Sequence, residues 1–233
     1  MSVVLSSLLE KYRDSFHPVV EFDPVKDILT RMDLTSAQNE LNEEIINDTV
    51  LYTQWVNETL KQAGAKFAIG GYAEHRMVYS FSRLFDGGPG EEPRRFHLGT
   101  DIWGKPHTKV MSPFNGIIHS FADNNGRGDY GATVILTHHL EHHAFYTLYG
   151  HLSLNSLKNL SEGERVDAGE VFGEFGIPAE NGQWPPHLHF QIIEDINGWK
   201  GDYPGVCRLS EKDEWLVNCP DPDLILNMNR FLL

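Results

Sequence analysis

Two cysteines in 233 residues, Cys207 and Cys219, make no disulfide framework, and their separation fits no short metal-binding spacing. Both read as reduced thiols without an assigned role. Long hydrophobic runs are also missing: no stretch approaches the roughly 20 apolar residues of a membrane span. The N-terminus, MSVVLSSLLEKYRDSF, has a short apolar run but no leading Lys or Arg, and Glu10 and Lys11 interrupt it before a secretory core could develop. It reads as an amphipathic helix, and the chain is expected to be soluble and cytoplasmic. Positive charge is scarce, with 19 Lys and Arg against 33 Asp and Glu for a formal charge of -14. Such a balance repels phosphate backbones and anionic lipid surfaces, and no basic patch offsets it. Neither nucleic acid nor membrane is expected as a partner.

What is present is the composition of an ordinary globule, 40% hydrophobic and 22% charged, long enough for one sizeable domain plus an extension. No internal repeat or low-complexity tract interrupts it. Residues 1–66 read as a helical N-terminal extension. It holds SSLLEKYRDSF and then TSAQNELNEEIINDTVLYTQWVNETLKQAG, with Thr35 or Ser36 as cap and Gly64 as stop. Leu41, Ile45, Ile46, Val50, Tyr52 and Val56 form a stripe suited to docking on the rest of the chain.

After Lys66, short β-branched and aromatic runs separated by glycine-containing turns predict a mainly β domain over residues 67–200. The candidate strands are MVYSF, GIIHSFA, ATVILTH, AFYTLYG, EVFGEFG and HLHFQII. DGGPGEEP at 86–93 reads as a surface loop and a mobile lip. Residues 201–233 form a C-terminal tail with a short helix, Asp221 capping and Pro222 at its first position.

The chemistry-bearing residues are histidines. In PPHLHFQI, at 185–192, His187 and His189 lie two apart, so a strand would point both to one face, about 6–7 Å apart. In isolation, such a pair is more often two half-buried imidazoles bonded to backbone than a metal site. His97 and Asp101 stand in HLGTD, where Gly99 permits a bend that brings both heads together. With one histidine of the H-x-H pair they make two His and one Asp, a set that leaves the fourth tetrahedral position of zinc open to water. His151 ends the run FYTLYGHL, whose alternation places it on one face with Tyr149 and Thr147. No H-E-x-x-H motif occurs.

HLGTD, YGHL and HLHF, in that order, resemble the M23 zinc metallopeptidases of the lysostaphin and LytM type, which carry H-x(3)-D, a later Y-x-H-L and a terminal H-L-H-F. PFNGIIHSF, ATVILTH and GERVDAGEVFGEFG resemble further segments of that family, so the likeness covers roughly residues 95–194. It implies a compact antiparallel β-sandwich or barrel-like catalytic domain. It also implies one zinc ion per chain held by His97, Asp101 and His189, with His151 and His187 as catalytic residues sharing the roles of base and transition-state stabiliser. The implied activity is zinc-dependent hydrolysis of a peptide or amide bond. The implied partner is a peptide or small amide.

Two departures bear on the substrate. PHTKVMSP stands where the family has G-T before its P-V/A-P segment, and PAENGQWPP stands ahead of H-L-H in place of T-G-x-S-x-G-P. Trp184, Pro185 and Pro186 make either an aromatic wall beside the metal or a packed turn. The ending ENGQWPPHLHFQIIEDINGWKGDYPG also resembles M23-like segments of multidomain proteins with an aminotransferase domain, which directs attention to small amides as well as peptidoglycan.

HHLEHH at 138–143 reads as a hairpin loop of solvated histidines. His138 is the exception, matching a family position beside the site. His75, His107 and His119 have no identifiable partners. Three other readings remain: a non-catalytic M23-like binding or regulatory module, an iron oxygenase triad and a histidine phosphocarrier. The triad usually spaces its carboxylate two residues from the first His, whereas the gap here is four. Asp101 fits the carrier poorly. The sequence leaves the oligomeric state open.

Overall fold

β-branched and aromatic residues over 131–152 and the alternation of HLHFQI at 187–192 build the centre of an eight-stranded sheet. The computed structural model describes residues 3–36, 38 and 40–232, without the side chains of Val3 and Phe81. In chain order the strands are β1 (Leu29–Arg31), β2 (Phe67–Gly70), β3 (Arg94–His97), β4 (Thr100–Trp103), β5 (Lys109–Met111) and β6 (Gly116–Asn124). They continue with β7 (Gly131–Leu140), β8 (His143–Leu152), β9 (Arg165–Val166), β10 (Val171–Glu174), β11 (His187–Ile193) and β12 (Val206–Arg208). The large sheet runs β1-β2-β4-β11-β8-β7-β6-β9, and β10-β5 and β12-β3 form two-stranded ribbons. All pairs are antiparallel except β1 with β2. The mainly β, antiparallel architecture read from the sequence is the one found, with N-terminal helices and short C-terminal ones.

Strand β11 shows why the centre sits where it does. Leu188, Phe190 and Ile192 enter the main core, where Leu5, Leu9, Tyr149, Ile225 and Met228 also pack. Each fully buried side chain of this size contributes about 1.5–3 kcal/mol. The period of two then sends His187, His189 and Gln191 to the opposite face. That face is covered too, by a second apolar cluster of Tyr52, Val56, Tyr79, Phe85, Trp103 and Trp184. All seven residues of β11 are therefore buried.

The helical reading of the extension holds for α1 (Val3–Tyr12) but not for one continuous second helix. Residues 43–62 split into α2 (Glu43–Asn47) and α3 (Thr49–Gln62), with Asn42 and Asp48 as their caps in place of Thr35 or Ser36. Asp48 accepts from the Val50 and Leu51 amides, which starts a new helix where a single one was predicted. Ala37 and Asn39 lie outside the described residues. Gly64 (φ 60°) follows α3 as the expected stop. Of the predicted stripe, Ile46, Tyr52 and Val56 are buried whereas Val50 is 64% exposed. Strand β1, also from this segment, joins the main sheet.

MVYSF is not a strand: Val78–Phe81 forms a 3-10 turn. The 86–93 loop is pinned to the body, Arg208 donating to the Glu92 carbonyl at 3.1 Å and to the Glu91 carboxylate at 2.8 Å. HHLEHH is mostly strand, since β7 ends at Leu140 and β8 begins at His143, leaving Glu141 and His142 as the turn. The tail carries α4 (Lys212–Asn218), which was not expected, and α5 (Asp223–Leu226), with Asp221 accepting from the Asp223 amide. Cys207 and Cys219 are buried free thiols, and burial pushes both up to about 12. No helix among the described residues is long and apolar enough to cross a membrane.

Candidate metal centre

Antiparallel register sets His189 on β11 opposite Asp101 on β4. His97, at the end of β3, reaches the same point across the Leu98–Gly99 step. Gly99 is needed there for closeness more than for bending, because a Cβ would lie 2.5 Å from the His189 ring and 2.9 Å from the Phe190 carbonyl. His97 Nε2 stands 2.9 Å from His189 Nδ1, His189 Nδ1 stands 3.1 Å from Asp101 Oδ1, and His97 Nε2 stands 3.4 Å from Asp101 Oδ1. These separations match the edge of about 3.3 Å in a tetrahedron of ~2.0–2.1 Å bonds to zinc.

The other nitrogen of each ring fixes the proton. His97 Nδ1 donates to the Gly71 carbonyl at 2.9 Å, and His189 Nε2 donates to Gln191 Oε1 at 2.9 Å. The Gln191 amide nitrogen faces the Pro204 carbonyl, so its oxygen is the end turned to His189. Two ring lone pairs and a carboxylate thus converge with no proton among them. Such a set repels itself unless a cation lies between, which is the fit that a divalent metal requires.

His187 and His151 stand beside this set. Their ring centroids are 4.1 Å apart. His187 Nδ1 donates to the Pro185 carbonyl at 2.7 Å and His151 Nδ1 to the Asn181 carbonyl at 2.9 Å, leaving both Nε2 lone pairs free to accept a proton. Burial lowers His97 and His187 to about 4 and puts His151 well below its ordinary value. All three rings are neutral at pH 7.

His151 does not follow the alternation. Tyr149 packs in the core against Phe190, whereas His151 lies on the opposite side with His187. The backbone turns at His151 itself, whose φ of 61° is left-handed. Hydrogen bonds from its amide to the Tyr130 carbonyl and from the Gly176 amide to its own carbonyl hold that geometry.

Four contributors escaped the sequence reading. Arg76 is 2% exposed and donates Nη1 to Asp101 Oδ2 and Nε to Glu74. Burial alone would raise the Asp101 carboxyl, but neighbouring His97 and the Arg76 guanidinium hold it well below the usual range. Tyr79 lies 3.3 Å from Arg76 Nη1, and the Tyr130 hydroxyl lies 3.3 Å from His189 Nε2. Gln191 alone had a legible signal, standing two residues beyond His189 on the same face. Trp184 serves as wall and packed turn at once, its amide held by Asn181 and its ring 6.0 Å from His151 and 5.9 Å from Tyr79.

His138 belongs elsewhere. It is buried between the Asn115 carbonyl and Thr147 Oγ1 and stacks on Phe145, touching none of the five residues. His107 meets Glu174 and His119 meets Ser120, both away from the centre. Among the described residues, His97, Asp101 and His189 are the one group of three or more acidic, histidine or cysteine side chains placed to hold a metal.

Residues 95–202 match the model of Peptidase family M23. The L-Ala--D-Glu endopeptidase of Bacillus subtilis (strain 168) is 30% identical over 138 residues, which is 55% of this chain and 40% of that protein. The chain therefore spans two fifths of that relative's length. The catalytic domain of the antimicrobial peptidase lysostaphin from Staphylococcus simulans is 20% identical, covering 70% of this chain and 96% of that one with a TM-score of 0.38. A zinc containing peptidase from Vibrio cholerae is 22% identical, covering 46% and 30% of the two chains with a TM-score of 0.35.

Proposed function

We propose that the chain, whose residues 95–202 match the model of Peptidase family M23, is a zinc-dependent hydrolase of a peptide or amide bond. The observation that carries the reading is the convergence of His97 Nε2, His189 Nδ1 and Asp101 Oδ1 within 2.9–3.4 Å. Bound there by His97, Asp101 and His189, zinc would supply a Lewis acid for the scissile carbonyl and lower the pKa of a water toward about 7.

The chain's own residues have three tasks. Gly71 and Gln191 hold His97 and His189 in the tautomers that present a lone pair. Arg76 occupies Asp101 Oδ2 and leaves Oδ1 for the metal. His187 and His151, neutral and each with Nε2 free, share the acid–base work: one takes the proton of the attacking water at Nε2, and the imidazolium so formed donates that proton onward to the oxygen that gains charge or to the leaving nitrogen. The carbonyls of Pro185 and Asn181 steady the imidazolium that forms.

The test pairs metal analysis with incubation of the zinc-loaded protein against small amides, oligoglycines and muropeptides. The curated relative's name places an L-Ala–D-Glu bond in the panel. Cleavage that vanishes in His187→Ala and His151→Ala with zinc still bound is the expected result. A zinc-loaded protein inert to every member contradicts the reading.

A further inference from the structure

We propose that this site takes a short substrate, a small amide or a chain end, and excludes the interior of a polymer. The inference rests on the hydrolase reading and narrows its substrate class. The five central side chains are almost sealed: His97 is 1% exposed, Asp101 2%, His151 5%, His187 3% and His189 2%. They line a cavity of about 200 Å³. That is below the ~300–1,000 Å³ of pockets for drug-sized ligands.

The wall that makes the cavity small is this chain's own. Leu34, Tyr52, Tyr79 and Phe85 line it, and all four precede the family-matched segment that begins at residue 95. They are packed rather than draped. Tyr52 is 2% exposed and Phe85 6%. The Tyr52 and Tyr79 rings lie 6.4 and 5.9 Å from Trp184, and Tyr79 lies 4.6 Å from Phe85. Arg76, from the same stretch, is tied to the metal-facing carboxylate of Asp101. Lifting this wall would expose a buried aromatic cluster and break a buried ion pair, so it is a fixed boundary.

Among the lining residues, Leu84 and Trp199 are the most open to solvent, each 44% exposed, which sets the mouth between them. An extended peptide advances about 3.3 Å per residue and needs free space on both sides of the cleaved bond. A cavity of about 200 Å³ walled by packed aromatic residues does not hold such a chain on both sides. The amide and a small group enter, and the remainder of the substrate stays outside.

The test uses the cobalt(II)-loaded protein, whose visible spectrum reports ligands at the metal independently of turnover. It is titrated with acetohydroxamate, with a hydroxamate lengthened by four glycyl residues on its acyl side alone, and with an N-substituted hydroxamate carrying two glycyl residues on each side. Acetohydroxamate and the ligand extended on one side are expected to bind and the ligand extended on both sides to bind at least tenfold more weakly, with Leu84→Ala narrowing the gap. In parallel, cleavage of dipeptide amides is expected without release of fragments from dye-labelled intact peptidoglycan. Equal binding across the series, or release from intact peptidoglycan, overturns the proposal. Failure of acetohydroxamate to perturb bound cobalt also overturns it, because a small ligand must reach the centre. A size-graded response without turnover of any peptide would instead overturn the hydrolase reading and leave the size limit standing.

Discussion

His97 Nε2 and His189 Nδ1 face each other at 2.9 Å, and the Gly71 carbonyl and Gln191 Oε1 are placed to accept from the far nitrogen of each ring. Two ring nitrogens turned this way beside a carboxylate are the donor set that the proposed zinc would need. Gln191→Leu removes the acceptor that fixes one ring. Zinc affinity in a chelator competition should fall about 10–100-fold, with Gln191→Glu retaining most of it.

Arg76 is predicted to act on the metal through Asp101. Arg76→Met leaves the buried Asp101 and the half-buried Glu74 without their cation, a loss on the order of 3–5 kcal/mol in urea unfolding. In the protein that still folds, zinc affinity should drop by about 10-fold or more, since Asp101 Oδ2 loses the bond that orients Oδ1. Unchanged affinity would remove Arg76 from the account of the centre.

Gly99→Ala should damage the site while sparing the remainder of the sheet. Its Cβ would fall 2.5 Å from His189 Cε1 and 2.6 Å from Nε2, so the ring must move away from His97. Near-wild-type circular dichroism with zinc content well below one per chain is the expected outcome.

The wall helix depends on its cap. Asp48→Ala frees the Val50 and Leu51 amides at the start of α3 and should cost about 1 kcal/mol, or roughly 2–4 °C in thermal midpoint for a chain of this size. Zinc content should not change.

His138 supplies an acid sensitivity separate from the metal. Burial lowers its pKa to about 4 from the ordinary 6.5, so between these values the unfolded chain binds a proton that the folded one refuses. Stability is therefore full above pH 6.5 and is lost as pH falls toward 4, by on the order of 3 kcal/mol. In urea titrations at pH 7, 5.5 and 4, His138→Gln should show a shallower decline than the wild type. Parallel declines would contradict the assignment.

Much of this architecture was legible because its signals are local and periodic. Strands β6, β7, β8 and β11 follow alternation within one stretch of chain, and HLGTD with HLHF named the three residues that converge. The misses share a cause. Arg76 and Tyr79 approach the centre from a segment with no periodic signal, and their partner Asp101 is far along the chain. Val78–Phe81 carries strand-like residues in a 3-10 turn, where packing of Val78 and Tyr79 in the second cluster overrides β propensity. His151 leaves its face through a single left-handed residue, which no alternation rule reports.

The central claim is that His97, Asp101 and His189 form one divalent cation site. It is tested most directly by elemental analysis of protein purified without chelator, beside His189→Ala. The account predicts one zinc per chain in the wild type and almost none in the variant, with both chains folded. Zinc absent from the wild type, iron in its place, or equal metal in the two proteins would contradict it.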